Sequence, residues 1–165
     1  MRALLILLIM SWALVSCSKA DHLELPGDYT LNWKDEEALK DHKILYRQLN
    51  DDPFLRQEVA GKSIEEMLHK DSLYTLDSKD KARLLAILSD SANFQRGECG
   101  TFALNAGLVF IQNDTLKGAI ELGCGYYQWK FNPYNPYAVD GSLSRQGFEN
   151  MTIMLDSIHA KMNRR

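Results

Sequence analysis

The sequence predicts an α+β domain: a block of short helices, a small antiparallel sheet built on a central hairpin, and a closing C-terminal helix. Three observations carry that expectation. Residues 35–90 repeat apolar positions at helical spacing. Two alternating runs flank Asn113-Asp114. The stretch after Ser144 carries an apolar stripe at spacings of three and four. Helical and alternating patterns segregated along the chain in this way belong to the α+β class.

The elements follow in order. Tyr29, Leu31 and Trp33 alternate with Thr30 and Asn32, which suits a short strand or an extended arm lying on the core. Asp35 can cap a helix running to about Asn50, with Leu39, His42, Tyr46 and Leu49 on one stripe. Asp52-Pro53 suits the start of a second helix, which Gly61 can end. Ser63 and Glu66 form a capping box for a third, bearing Ile64, Met67 and Leu68. Ser78 can cap a fourth that buries Leu84, Leu85, Ile87 and Leu88.

Near Phe94 the pattern changes, and six of the ten glycines fall between Gly97 and Gly125. Leu104, Ala106, Leu108 and Phe110 alternate in one run, and Leu116, Gly118, Ile120 and Leu122 in the next. Asn113-Asp114 between them is a hairpin signal. Gly123 and Gly125 leave room for a bend at Cys124. Tyr127, Trp129 and Phe131 then share one face of a further strand. The closing helix starts near Ser144 and carries Phe148, Met151, Leu155, Ile158 and Met162.

The N-terminus has a different character. Met1-Arg2 is followed by a thirteen-residue, almost wholly apolar run from Ala3 to Val15. A membrane-spanning helix needs roughly 20 such residues, so the run fits an export signal better than a span. It closes on Leu14-Val15-Ser16-Cys17, which resembles the lipobox of bacterial lipoproteins. The resemblance implies cleavage before Cys17, lipid on Cys17, and a membrane attachment through that lipid. In enteric lipoproteins an aspartate after the cysteine resembles an inner-membrane retention signal, so the same resemblance implies, from Ser18 in that position, the outer rather than the inner membrane of the cell envelope. The expected organisation is therefore a signal peptide over 1–16, a lipidated tether over 17–28 and a single domain over 29–165.

Loss of Arg2 with the signal leaves 18 Lys+Arg against 22 Asp+Glu, a formal charge of −4 on 149 residues. With no basic block beyond Asn163-Arg164-Arg165, nucleic acid is not an expected partner. His22, His42, His69 and His159 are scattered and no C-x-x-C occurs, so no metal site or cofactor is expected. The chain lacks a nucleophile elbow, a phosphate loop and a dinucleotide fingerprint. The pairs Glu36-Glu37 and Glu65-Glu66 read as solvated helix faces. No catalytic residue is assigned.

Two features remain as candidate sites. Cys99 and Cys124, with the hairpin between them, form an even pair that an oxidising compartment would join as a disulfide. Buried unpaired thiols and a reactive Cys99 are the alternatives, and Glu98 beside Cys99 disfavours a thiolate. The second feature is aromatic. Tyr126, Tyr127, Trp129, Phe131, Tyr134 and Tyr137 fall within twelve residues, ending in the tandem Asn132-Pro133-Tyr134 and Asn135-Pro136-Tyr137. Two X-Pro steps stiffen a loop, and a stiff loop presents tyrosines at little ordering cost. Asn132, Tyr134, Asn135 and Tyr137 are the candidate contact residues for a protein, peptide or glycan. Packing of these aromatics into the domain is the alternative.

From Phe94 to Ile158 the order of cysteine, hairpin, cysteine, aromatic strand, polar loop and helix is similar to that of small envelope proteins of Gram-negative bacteria to which no activity is assigned. Those proteins often carry two cysteines close together in the second strand. Here only Cys124 is present, which puts a shared metal or redox role in doubt. The functional expectation is a non-enzymatic, lipid-anchored interaction module: an adaptor, an inhibitor or an immunity-type protein. The alternatives are an envelope hydrolase or thiol enzyme with a site the motifs do not reveal, and a structural lipoprotein with no discrete ligand.

Overall fold

The computed structural model describes residues 25–33, 35–48, 73–97, 104–135, 138 and 141–164. The α+β class is as expected, and the sheet is larger than expected. Helix α1 (Glu36–Asp41) leads into β1 (Lys43–Gln48), β2 (Leu73–Thr75), α2 (Ser78–Ser89), a 3-10 turn (Ser91–Asn93) and β3 (Phe94–Gln95). Then come β4 (Leu104–Gln112), β5 (Thr115–Gly123), β6 (Gln128–Asn132), β7 (Ser142–Leu143) and α3 (Arg145–Met162). The seven strands form one antiparallel sheet in the order β2-β1-β4-β5-β6-β7-β3.

The hairpin is as predicted. Asn113 and Asp114 both take positive φ, 50° and 54°, which is the backbone of the two-residue turn that matches strand twist. β4 is buried along nearly its whole length, so it has no solvent face. Ala106, Leu108 and Phe110 point to the main core, which also holds Ile44, Tyr46, Tyr74, Ile120, Leu122 and Trp129 from other strands. Helices α2 and α3 close this core with Leu84, Leu85, Ile87, Leu88, Met151, Met154, Leu155 and Ile158. The opposite face gathers Leu45, Leu104, Val109, Ile111, Leu116 and Ala119, with Leu25, Tyr29 and Leu73 packed against them.

The N-terminal segment is an extended arm. Gly27 bridges Leu116 in parallel, and Leu31 N–H donates to Lys117 O at 3.0 Å. Lys117 pairs with Asp28, and that hydrogen bond holds the Asp28 carboxyl below its usual range. Residues 25–28, expected in the tether, thus belong to the folded unit.

The predicted helix from Asp35 to Asn50 ends early. Only Glu36–Asp41 is helical, and Lys43–Gln48 is a strand. His42 and Tyr46 fit a helical stripe, but Ile44, Leu45 and Tyr46 are three consecutive apolar residues that need two buried faces. Pairing beside β4 supplies both, and tertiary context overrides the weaker local preference. The expected second and third helices lie outside the described residues. Helix α2 starts where predicted, but its cap is Asp77, whose side chain accepts from Lys79 and Asp80 N–H. Helix α3 starts near Ser144 as predicted, and Ser144 caps it, accepting from Gly147 N–H at 3.1 Å. Gly147 is required there, since a Cβ would lie 2.1 Å from Asn93 O. Phe148, expected on the buried stripe, is 38% exposed.

Asp80 joins these layers. Its carboxylate is fully buried and receives Ser157 Oγ at 3.0 Å, Lys161 Nζ at 2.5 Å and Tyr74 Oη at 3.4 Å. Lys161 also reaches Asp77 at 2.6 Å. That contact holds the Asp77 carboxyl below its ordinary value and raises the Lys161 ammonium above its own. Removing one partner of a buried charge pair costs about 3–5 kcal/mol, whereas an exposed pair contributes at most about 1 kcal/mol. Asp80→Ala is expected to fall in the first range and Lys40→Ala, which breaks the exposed pair with Glu37, in the second. Urea denaturation measures both. A depressed carboxyl stabilises above its unfolded titration range and loses that contribution as pH falls through the folded one. Acid denaturation of Asp77→Asn should therefore be shallower than that of the parent below the ordinary aspartate range. Equal slopes would remove Asp77 from the acid response.

Candidate aromatic loop site

The candidate site grows from the end of β6. Trp129 is buried and donates its indole N–H to Tyr126 O at 3.0 Å. Phe131 lies against the main core, 6.0 Å from the Trp129 ring and 6.0 Å from Phe94. Tyr127 is half-buried, its hydroxyl accepting from Gln95 Nε2 at 2.5 Å. The packing alternative thus holds for the first four aromatics, from Tyr126 to Phe131.

It does not hold for Tyr134. The strand ends at Asn132, which is exposed, and the Asn132-Pro133 bond is cis. The loop is tied down from the far end of the described chain: Trp33 donates its indole N–H to Pro133 O at 2.7 Å. Trp33 is itself fixed, 4% exposed and edge-on to Phe110 and Phe131 at 5.2 Å each. From that base Tyr134 projects with 76% of its surface exposed, the most exposed large hydrophobic among the described residues. Asn135 turns the other way and is 1% exposed. It was expected on the contact surface and is instead buried. Tyr137 lies outside the described residues. Sequence reasoning missed Trp33 as the loop's anchor. The signal available was a buried-type indole with an N–H to satisfy, and nothing local shows that its acceptor is 100 residues away.

The cysteine region is a tight turn. Cys124, Gly125 and Tyr126 all have positive φ, 53°, 68° and 70°. Asn105, buried where β4 shifts register, accepts Gly125 N–H at 2.7 Å and secures the turn. Cys124 is half-buried there, with its sulfur 3.7 Å from Gln128 Oε1. Cys99 lies outside the described residues, as does Cys17.

His42 is buried edge-on to Phe110, and His159 Nε2 sits 2.9 Å from Tyr46 Oη. Both are packing residues. Glu121 faces Gly107 and Lys130 across the sheet, and burial pushes its carboxyl up. Among the described residues no three His, Cys, Asp or Glu side chains gather as a metal site, and no helix is long and apolar enough to cross a membrane. No family model, curated protein or solved structure matches the chain.

Proposed function

We propose that this chain is a lipid-anchored cell-envelope protein, outer-membrane in preference to inner, that works as a non-enzymatic interaction module through the Tyr134 loop. The observation that carries the reading is Tyr134 itself, largely exposed on a loop pinned by Trp33. A tyrosine on a prearranged loop contributes contact area and a polar tip with little ordering cost. The partner is a protein, a peptide or a glycan. Asn132 flanks Tyr134 on the surface and supplies amide hydrogen bonds.

Exposed side chains away from special backbone sites change stability by no more than about 0.5 kcal/mol, while an aromatic hot spot contributes about 2 kcal/mol or more to binding. Tyr134→Ser combined with Tyr137→Ser should therefore leave the melting temperature unchanged and abolish partner capture in crosslinked cells. Trp129→Ala, by contrast, should destabilise by about 3–5 kcal/mol. Early melting of the double tyrosine variant would show that these residues pack, and would end the contact-surface reading.

The anchor is tested separately. Metabolic labelling with an acyl-chain analogue should mark the parent protein and not Cys17→Ala, and equal labelling would reject lipidation. A Cys99–Cys124 disulfide should appear as joined peptides in non-reducing mass spectrometry of protein from intact cells. Recovery of two alkylated thiols would reject the bond and favour the thiol-enzyme alternative.

A further inference from the structure

A second surface, independent of the Tyr134 loop, lies where α2 meets α3. The two helices run antiparallel. Asp80 and Ser157 pair at one end of their contact and Asn93 and Asn150 at the other, 3.1 Å apart. Between these tie points a groove of about 310 Å³ opens to solvent, lined by Arg83, Ala86, Ile87, Asp90, Asn150 and Ile153 among others. Ile153 stands at its lip with 57% of its surface exposed. Its place midway along the helix contact sets it level with Ala86 and Ile87.

The charges of the groove are arranged about that midpoint. Arg83 on α2 and Asp90, the residue that caps its C-terminus, both line the groove, seven positions or about 10.5 Å of helical rise apart, and Asp90 Oδ1 also accepts from Ala92 N–H at 2.9 Å. Ala86 falls between them. Arg83 Nη1 makes a long ion pair with Asp80 Oδ1 at 3.9 Å, beyond hydrogen-bond distance. The order along the groove is therefore cation, apolar centre, anion. A two-fold axis through the centre maps each end onto the opposite charge and the apolar centre onto itself. Self-complementarity of this kind is what an isologous contact requires.

We propose that the α2–α3 groove is the interface of a homodimer. In it Ile153 and Ala86 of two copies meet on the two-fold axis, and each Arg83 pairs with Asp90 of the other copy. The apolar centre supplies the affinity. The two rim pairs set the antiparallel register and contribute little else.

Cysteine crosslinking of the full chain in intact cells tests this. Ile153→Cys brings two thiols together at the axis and should form a covalent self-dimer at least ten times faster than Arg145→Cys. Arg145 is 94% exposed and lies outside the groove. Sedimentation of the intact protein extends the test. Arg83→Glu and Asp90→Lys should each weaken the dimer at least tenfold, and the double exchange should restore it, with thermal melts confirming that each variant folds. The proposal is overturned if Ile153→Cys crosslinks no faster than the control, or to another protein instead of itself. It is also overturned if the parent sediments as a monomer throughout, or if the double exchange fails to restore a dimer that both single variants lost.

Discussion

Strand β4 has no face to spare. It lies next to the middle of the sheet with β1 on one side and β5 on the other, and nearly every residue from Leu104 to Ile111 is buried. An antiparallel sheet commonly leaves one side to water. At β4 this one does not, so both of its surfaces need cover, whereas Lys130 on β6 remains exposed. Helices α2 and α3 cover one, with Leu84, Leu88, Met151 and Met154 against Leu108 and Phe110. The N-terminal arm contributes to the other through Leu25 and Tyr29. The arm then continues into the main core through Leu31 and Trp33, so one short segment serves both sides of the sheet.

Polar groups do the joining where apolar surface alone would leave the layers free to slide. Asp80 ties α2 to Tyr74 on β2 and to Ser157 and Lys161 on α3. Asn93 spans the other end, donating to Ile87 O and accepting from Asn150. Asn105 stitches β4 to the Cys124 turn. Each is buried and hydrogen-bonded, as a buried polar group must be to avoid its desolvation cost. These contacts specify one arrangement of helices on the sheet and leave the Tyr134 loop and the Ile153 groove outside it.

What the sequence disclosed follows from the range of the interactions concerned. The hairpin was legible because alternation and the Asn113-Asp114 turn are local. The closing helix was legible because Ser144 and the stripe from Met151 to Ile158 are local too. Lys43–Gln48 was misread because its apolar residues fit two periods, and only pairing with β4 decides between them. The short strands β2, β3 and β7 gave no periodic signal, being two or three residues long. In the site, the exposure of Tyr134 agreed with a stiff loop. The inward turn of Asn135 did not follow from its motif, because the repeat of Asn-Pro-Tyr does not fix which copy of the asparagine faces solvent.

The Trp33–Pro133 hydrogen bond has a kinetic side. Its two residues are 100 positions apart in a chain of 165, so the loop that carries Tyr134 gains its anchor only by closing most of the chain. Contacts of such high sequence separation form late and slowly, because loop closure must precede any reward. Trp33 leaves the ribosome long before Pro133, and until its acceptor arrives its indole N–H is bonded to water and cannot be buried without cost. The hairpin can assemble early from neighbours in sequence, whereas the loop beyond it becomes a defined surface only when the first and last thirds of the molecule have met. A chain truncated before Pro133 could retain the hairpin's local contacts while lacking the surface altogether.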